Sequence, residues 1–126
     1  MVEEVRPDPS KMQYNDLPFS HAIKHEDFVF VSGQAPRDAD GNVPETFEGQ
    51  ARQELENIQT ILEEAGTSMD NLVKVKVYVE DMDRFGDLNE IYQEYVSEPF
   101  PARAAIGVDE LAKNFVVEFE AIAAVE

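Results

Sequence analysis

Residues 72–79 read Leu72-Val-Lys-Val-Lys-Val-Tyr-Val79, an alternation of apolar and polar residues along most of the segment. Successive side chains of a β-strand point to opposite faces, so this alternation predicts a half-buried strand. One predicted face carries the valines Val73, Val75, Val77 and Val79. The other carries the amphipathic side chains Lys74, Lys76 and Tyr78. The segment therefore predicts a sheet whose two faces need different partners.

Two helices are predicted around this strand. The first covers about residues 47–65, with an apolar stripe at spacings of three and four formed by Phe47, Ala51, Leu55, Ile58, Leu62 and Ala65. Four glutamates are expected to lie mainly away from that stripe: Glu54, Glu56, Glu63 and Glu64. Gly66 is expected to end the helix. The second covers about residues 82–96, with a stripe of Phe85, Leu88, Tyr92, Tyr95 and Val96, and ends before Pro99.

The rest of the chain supplies more strands. They are predicted over residues 22–24, 28–31, 103–108 and 115–125, the last two joined by residues 109–114. Residues 1–17 are expected to be irregular because they are polar and contain prolines. The order of elements predicts a single α+β domain over residues 1–126, with one sheet and two helices on one face.

The second face of this sheet also needs cover. Phe28 and Phe30 are too apolar to stay in water, and Lys74, Lys76 and Tyr78 are amphipathic. Association with further copies of the chain would bury that face, and closed symmetric assemblies are the commonest form of oligomer. This pattern does not determine the number of subunits.

The charge and composition exclude several classes of function. Twenty-seven acidic residues against ten basic ones give a net charge of −17, which argues against nucleic-acid or membrane partners. Adaptation of the surface to high salt is favoured over binding to a basic protein. The absence of cysteine excludes thiol catalysis and cysteine metal sites. The polar N-terminus and the lack of a long apolar segment predict a soluble cytoplasmic protein.

No metal or cofactor site is predicted. The two histidines, His21 and His25, are four residues apart, but their segment is predicted as strand and turn rather than helix. Residues 38–42 resemble the start of a calcium loop, but its glycine is misplaced and its twelfth position is Gly49. A surface turn is the favoured interpretation of that segment.

Arg103 is the main candidate for chemistry. It opens an apolar strand behind two prolines, and the alanines after it leave room beside a guanidinium that can bind a carboxylate in bidentate geometry. If the last two strands formed a hairpin, Arg103 would lie beside Glu118 and Glu120. The pattern leaves open which glutamate it meets, and whether the pair is structural or functional.

A set of motifs resembles the RidA/YjgF family from about Pro18 to the C-terminus. The motifs are Ser32-Gly-Gln-Ala-Pro36, Gln50-Ala-Arg52, Asn57, Ala65-Gly66, Val73-Lys-Val-Lys-Val-Tyr-Val79, Asn89 with Tyr92, Pro101-Ala-Arg103-Ala-Ala and Val117-Glu-Phe-Glu-Ala-Ile-Ala123. The most specific feature is the Pro-Ala-Arg segment, followed fifteen residues later by Glu-x-Glu-Ala-Ile-Ala.

The resemblance implies a chorismate-mutase-like homotrimer, with the sheets around a central barrel and ligand clefts between subunits. It also implies hydrolysis of 2-aminoacrylate and 2-iminobutyrate to keto acids and ammonia, without a metal or organic cofactor. The implied catalytic residues are Arg103 and Glu118. The implied substrate-binding residues are Phe19, Ser32, Gly33, Asn89 and Ala105.

Three positions depart from the family pattern. Many active members carry tyrosine where Phe19 stands and cysteine where Ala105 stands, and His21 replaces a commoner glutamine. The first two changes leave rate and substrate range open. An alternative function is a regulatory trimer that binds a small carboxylate or keto acid without catalysis. A ribonuclease activity described for some members fits poorly with a net charge of −17.

Overall fold

The computed structural model describes residues 1–125, which form one six-stranded sheet and two α-helices. The strands are β1 (Glu3–Val5), β2 (Ala22–His25), β3 (Phe28–Val31), β4 (Leu72–Val79), β5 (Ala102–Gly107) and β6 (Val117–Ala124). The helices are α1 (Phe47–Glu64) and α2 (Phe85–Tyr95). Single 3₁₀ turns cover Met69–Asn71, Met82–Arg84 and Ala112–Asn114.

The strand order is β1-β2-β3-β6-β4-β5. All neighbouring strands are antiparallel except β4 and β5, which are parallel because α2 carries the chain back between them. Helix α1 packs on β6 and on α2, and the ring of Tyr92 from α2 stacks on Phe119 of β6. The predicted α+β architecture, one sheet with two helices on one face, is confirmed.

The last two strands do not form the hairpin that was considered for them, because β4 lies between β5 and β6. Val75 of β4 pairs with Arg103 on one side and with Ala121 on the other. The nine residues of the connection 108–116 are more than a tight hairpin needs, and they carry the chain past the end of β4. Backbone hydrogen bonds from Val108 to Val79 and from Glu80 to Val116 fix this passage.

Two further predictions, for Val73 in β4 and for the N-terminal segment, are wrong. Val73 is 43% exposed while Leu72 is buried, because a β-bulge shifts the register of β4 against β6 between Leu72 and Lys74. The N-terminal segment is not wholly irregular, since β1 pairs with β2 from Glu3 to Val5. Polar residues hid this edge strand from the hydrophobic pattern.

The core lies between the sheet and the two helices. Alternate residues of the central strands are buried there, including Val29, Val31, Val75, Val77, Val79, Val117 and Phe119. From α1 they meet Leu55, Ile58, Ile61 and Leu62. The Thr46 hydroxyl accepts a hydrogen bond from the Gly49 amide and caps the start of α1, and Gly66 with a φ of 89° follows its end.

The opposite side of the sheet, called here the open face, is not covered by any element of residues 1–125. Its side chains include Ile23, Phe28, Phe30, Lys74, Lys76, Tyr78, Ile106, Glu118, Glu120 and Ile122. Phe28 and Phe30 are 41% and 45% exposed, so the predicted apolar surface is present. Within the same residues, no helix combines the length and the apolar character needed to cross a bilayer.

Two glycines provide a matched test of the helix assignments. An added Cβ meets nothing within 4 Å at either Gly66 or Gly86, but only Gly66 has a positive φ. We expect Gly66→Ala to destabilise the fold by about 1 kcal/mol, because alanine is strained in the left-handed region. Gly86→Ala, inside α2, should stabilise it by about 0.5 kcal/mol. Urea unfolding at equal protein concentration measures both, and effects of the same sign would contradict the assignments.

Candidate active site

A cavity of about 810 Å³ opens beside the start of β6. Its walls come from the N-terminal segment before β2, the loop after β3 and the connection before β6. Four of the residues expected from the sequence line it: Phe19, Ser32, Gly33 and Glu118. These four are called the cavity group.

The loop after β3 positions Ser32 and Gly33. The Ser32 amide donates to the carbonyl of His21 at 2.9 Å, and its hydroxyl donates to the carbonyl of Ser20 at 2.6 Å. A Cβ added at Gly33 would lie 2.2 Å from Oε2 of Glu118. The carboxylate therefore packs directly on the Gly33 backbone, and a larger residue there would displace it.

Glu118 has the electrostatic character of a proton acceptor. Partial burial raises the pKa of its carboxyl, and the nearby charge of Glu120 raises it further. Glu120 itself accepts a hydrogen bond of 2.6 Å from the Tyr78 hydroxyl on the open face. A carboxylate with a raised pKa takes up a proton more readily, so Glu118 is the better placed of the two to act as a base.

Arg103 lies at the edge of the sheet, on its helix side. The guanidinium carbon is 4.9 Å from the ring centre of Tyr92 and 5.5 Å from that of Phe85, both on α2. Within residues 1–125 no carboxylate oxygen lies within 4 Å of its nitrogens. Its planar face is thus stacked while its donors remain open to a ligand.

Asn89 and Ala105 belong with Arg103. Ala105 lies two residues further along β5 on the same face, and Asn89 lies on α2 between Phe85 and Tyr92 at helical spacing. These three residues, Arg103, Ala105 and Asn89, are called the edge group.

A single subunit does not bring Arg103 to Glu118. Their strands are two positions apart in the sheet, or about 9.5 Å. Arg103 faces the helices beside Val75, whereas Glu118 faces the other side beside Tyr78. Glu120 shares the face of Glu118, so neither glutamate meets Arg103 within the chain. The sequence identified the residues but joined them through a hairpin that does not form.

Sequence reasoning did not predict the burial or the role of three polar residues of α1: Gln50, Glu54 and Asn57. Gln50 accepts a hydrogen bond from the Val116 amide, and Glu54 accepts one from the Phe119 amide, both at 3.0 Å. Asn57 donates to the carbonyls of Ala35 and Arg37. Their spacing of four and three was the available signal, since it places all three on one helix face. They are called the polar seam.

The expectation that Glu54 lies away from the core is wrong. The residue is fully buried, and its Oε2 atom has no hydrogen-bond partner within residues 1–125. Burial raises the pKa of its carboxyl well above the usual value, the hydrogen bond from Phe119 opposes this, and the charge of Glu118 adds to it. Burial therefore favours the neutral form of the Glu54 carboxyl, which lies beneath the β6 segment that carries Glu118.

The raised pKa of Glu54 predicts a pH-dependent effect of Glu54→Gln. At a pH below the pKa of Glu54 in the unfolded chain, the carboxyl is protonated in the folded and unfolded states, and its ionisation does not change the free energy of unfolding. As the pH rises, the unfolded chain releases the proton that the folded chain keeps, so the wild type loses stability. The advantage of Glu54→Gln should grow by about 1.4 kcal/mol per pH unit up to the folded pKa. Urea unfolding at pH 5, 6 and 7 tests this.

Glu63→Gln, which removes an exposed carboxylate from the same helix, is the matched control. A difference between Glu54→Gln and the wild type that stays constant from pH 5 to pH 7 would show that Glu54 is ionised in the folded protein.

The chain is similar to proteins of one family along most of its length. The family model described as Endoribonuclease L-PSP matches residues 12–125. A RutC family protein of Pyrococcus abyssi is 45% identical over 108 residues, which cover 84% of this chain and 85% of that protein. A 2-iminobutanoate/2-iminopropanoate deaminase of Dermatophagoides farinae is 33% identical over 111 residues, or 86% of this chain and 87% of that protein.

Solved structures share the whole fold. The crystal structure of RidA from an Antarctic Psychrobacter species superposes with a TM-score of 0.90 at 36% identity, covering 97% of this chain and 99% of that one. The superposition therefore spans nearly all of the backbone, on which the cavity group and the edge group lie. Within residues 1–125 there is no cluster of three or more metal-binding side chains.

Proposed function

The chain belongs to the Endoribonuclease L-PSP family, that of the RidA/YjgF proteins, and from this premise we propose that it hydrolyses small 2-imino acids. The substrates are 2-aminoacrylate and 2-iminobutyrate, and the products are 2-keto acids and ammonia. The name of the Dermatophagoides relative supports this reaction class.

The environment of Arg103 carries this proposal. The chain has 27 acidic residues, yet within residues 1–125 none places a carboxylate oxygen within 4 Å of this guanidinium. Aromatic rings support its flat face and leave its N–H groups available. Such an arginine suits bidentate binding of a substrate carboxylate.

We further propose that the site is completed between subunits of a homotrimer. The open face, with Phe28 and Phe30, would be buried around a central barrel. The edge group of one subunit would then face the cavity group of the next. This arrangement brings Arg103 and Glu118 to one cleft, which the single chain cannot do.

In the proposed mechanism, Arg103 holds the substrate carboxylate and thereby fixes the imine carbon near Glu118. Glu118 accepts a proton from a water molecule as the water oxygen attacks that carbon, and the proton passes to the nitrogen. The resulting carbinolamine collapses: Glu118 takes the hydroxyl proton and passes it to the nitrogen, the C–N bond breaks, ammonia leaves, and the C=O bond of the keto acid forms.

The required acceleration is modest. An imine is already electrophilic, so positioning and one general base, worth about 10²–10⁴-fold, are sufficient for the proposed chemistry. The raised pKa of Glu118 matches this role, and the close contact with Gly33 fixes the direction of its carboxylate.

Phe19 and Ala105 lack the hydroxyl and thiol groups that the family pattern has at their positions. Phe19 is 52% exposed at the cavity wall and brings no hydroxyl group to it. Ala105 is half-buried beside Arg103 on β5 and brings no thiol. The proposed mechanism uses neither group, since Arg103 and Glu118 carry the binding and the proton transfer.

The activity test is a coupled assay in which a pyridoxal-dependent threonine dehydratase generates the imine. We expect the wild type to accelerate keto-acid formation at low or high salt. Arg103→Gln should lose most of that acceleration, about 100-fold, because the carboxylate loses its charge-assisted hydrogen bonds. Arg52→Gln removes the same charge from an exposed pair with Glu94 and is the matched control.

A fully active Arg103→Gln variant would remove the proposed role of this residue. If the folded oligomeric wild type gave no acceleration at any salt concentration, the alternative of a carboxylate-binding regulatory protein would be favoured. In that case 2-oxobutanoate should bind the wild type and not Arg103→Gln in a calorimetric titration.

A further inference from the structure

A second arginine shares the unusual environment of Arg103. The chain has five arginines. Three of them bind carboxylates: Arg6 with Glu4, Arg52 with Glu94, and Arg84 with Glu48 and Asp87. Arg37 and Arg103 have no carboxylate oxygen within 4 Å among residues 1–125, and both lie over aromatic rings. For Arg37 the ring is that of Phe115, with the guanidinium carbon 5.4 Å from its centre.

Arg37 lines the same cavity as Glu118. Lys113, from the connection before β6, lines it too and also lacks a carboxylate within 4 Å among residues 1–125. Two acidic residues, Asp16 and Glu118, also line the cavity, but neither is within ion-pair distance of Arg37. In a protein of net charge −17, the cavity thus has as many basic as acidic side chains in its lining, and among residues 1–125 neither basic one is ion-paired.

The backbone around Arg37 is held in place. The Asn57 side chain donates to the carbonyl of Arg37 at 3.0 Å and to that of Ala35 at 3.2 Å. After it, the carboxylate of Asp38 accepts hydrogen bonds of 2.9 Å from the amides of Asp40 and Asn42 and closes a turn. The carboxylate of Asp38 is therefore hydrogen-bonded to backbone amides and not paired with Arg37. With its backbone fixed, the Arg37 side chain lines the cavity before a ligand binds.

The size of the cavity exceeds what a small imine needs. Pockets of ~300–1,000 Å³ commonly hold drug-sized ligands, and this one measures about 810 Å³. A three- or four-carbon imino acid fills a small part of that volume. The remaining space, with an arginine that has no ion-pair partner among residues 1–125 in its wall, suits a substrate that carries a second negative charge at its far end.

We propose that Arg37 binds a second carboxylate of the substrate, so that the enzyme also hydrolyses the imines of dicarboxylic amino acids. This inference rests on the proposed function. Arg103 holds the carboxylate next to the imine, Glu118 activates the water, and Arg37 holds the distal carboxylate. The reaction is unchanged: water adds to the C=N carbon, the C–N bond breaks, and ammonia and a 2-keto diacid leave.

The test compares two imines in one type of assay. D-amino acid oxidase with D-alanine supplies 2-iminopropanoate, and D-aspartate oxidase with D-aspartate supplies 2-iminosuccinate. Semicarbazide traps the imine, so a fall in the trapping rate measures its hydrolysis. The readout is the ratio of kcat/KM for 2-iminosuccinate to that for 2-iminopropanoate, which cancels any general loss of active protein.

Arg37→Gln should lower this ratio by about 10- to 100-fold, because the distal carboxylate loses charge-assisted hydrogen bonds. Arg52→Gln, with the same loss of charge outside the cavity, should leave the ratio unchanged. A ratio that Arg37→Gln does not alter would overturn the proposal, as would a wild type that hydrolyses 2-iminopropanoate and not 2-iminosuccinate.

Failure of the proposed function is separable from failure of this inference. If the wild type hydrolyses neither imine, the proposed function fails, and binding then decides the role of Arg37. The wild type should bind 2-oxoglutarate about tenfold or more tightly than 2-oxobutanoate, and Arg37→Gln should remove the difference. Equal affinities in the wild type would overturn the second carboxylate site.

Discussion

The two register contacts of β4 determine where the chemistry can take place. Val75 pairs with Arg103 on one side of the strand, and Tyr78 pairs with Glu118 on the other. Because β4 separates these strands and the two side chains face opposite sides of the sheet, the proposed reaction requires one chain to supply two separate halves of the site. The open face with Phe28 and Phe30 also lacks a partner in the chain. The proposed association through that face would bury the apolar surface and bring a ligand site to Arg103, which has no carboxylate partner within residues 1–125.

The cavity half of the site depends on the polar seam. Val31 is the last residue of β3 in the ladder with β6, although the Gln34 amide still donates to the carbonyl of Phe119. Buried amide groups without partners would cost about 1–3 kcal/mol each. Gln50 and Glu54 satisfy the amides of Val116 and Phe119, and Asn57 holds the loop that carries Arg37. The cavity opens where the ladder between β3 and β6 ends, and side chains of α1 accept the hydrogen bonds of the Val116 and Phe119 amides there.

Periodicity and caps were sufficient to predict the helices, the central strand and the apolar open face, because each depends on local residue spacing. Pairing between distant strands was not predictable in the same way. A hairpin of β5 and β6 was considered because the two strands are adjacent in sequence. Since β4 lies between them, Arg103 has Val75 as its neighbour, and Glu118 and Glu120 face the other side of the sheet. The bulge at Val73 and the burial of Glu54 were not predicted either. Each depends on contacts with the backbone of β6, which is remote in sequence. The family resemblance identified Arg103 and Glu118 as residues but could not show that they lie apart in one subunit.

The claim that the active site is shared between subunits is tested most directly by mixing two inactive variants. Arg103→Ala and Glu118→Gln are co-expressed with different tags, mixed trimers are isolated, and imine hydrolysis is compared with that of each parent. If Arg103 and Glu118 meet across an interface, every mixed trimer keeps one cleft of its three with both residues intact. Activity near a third of the wild-type value is the predicted result. Mixed trimers no more active than their parents would contradict the shared site.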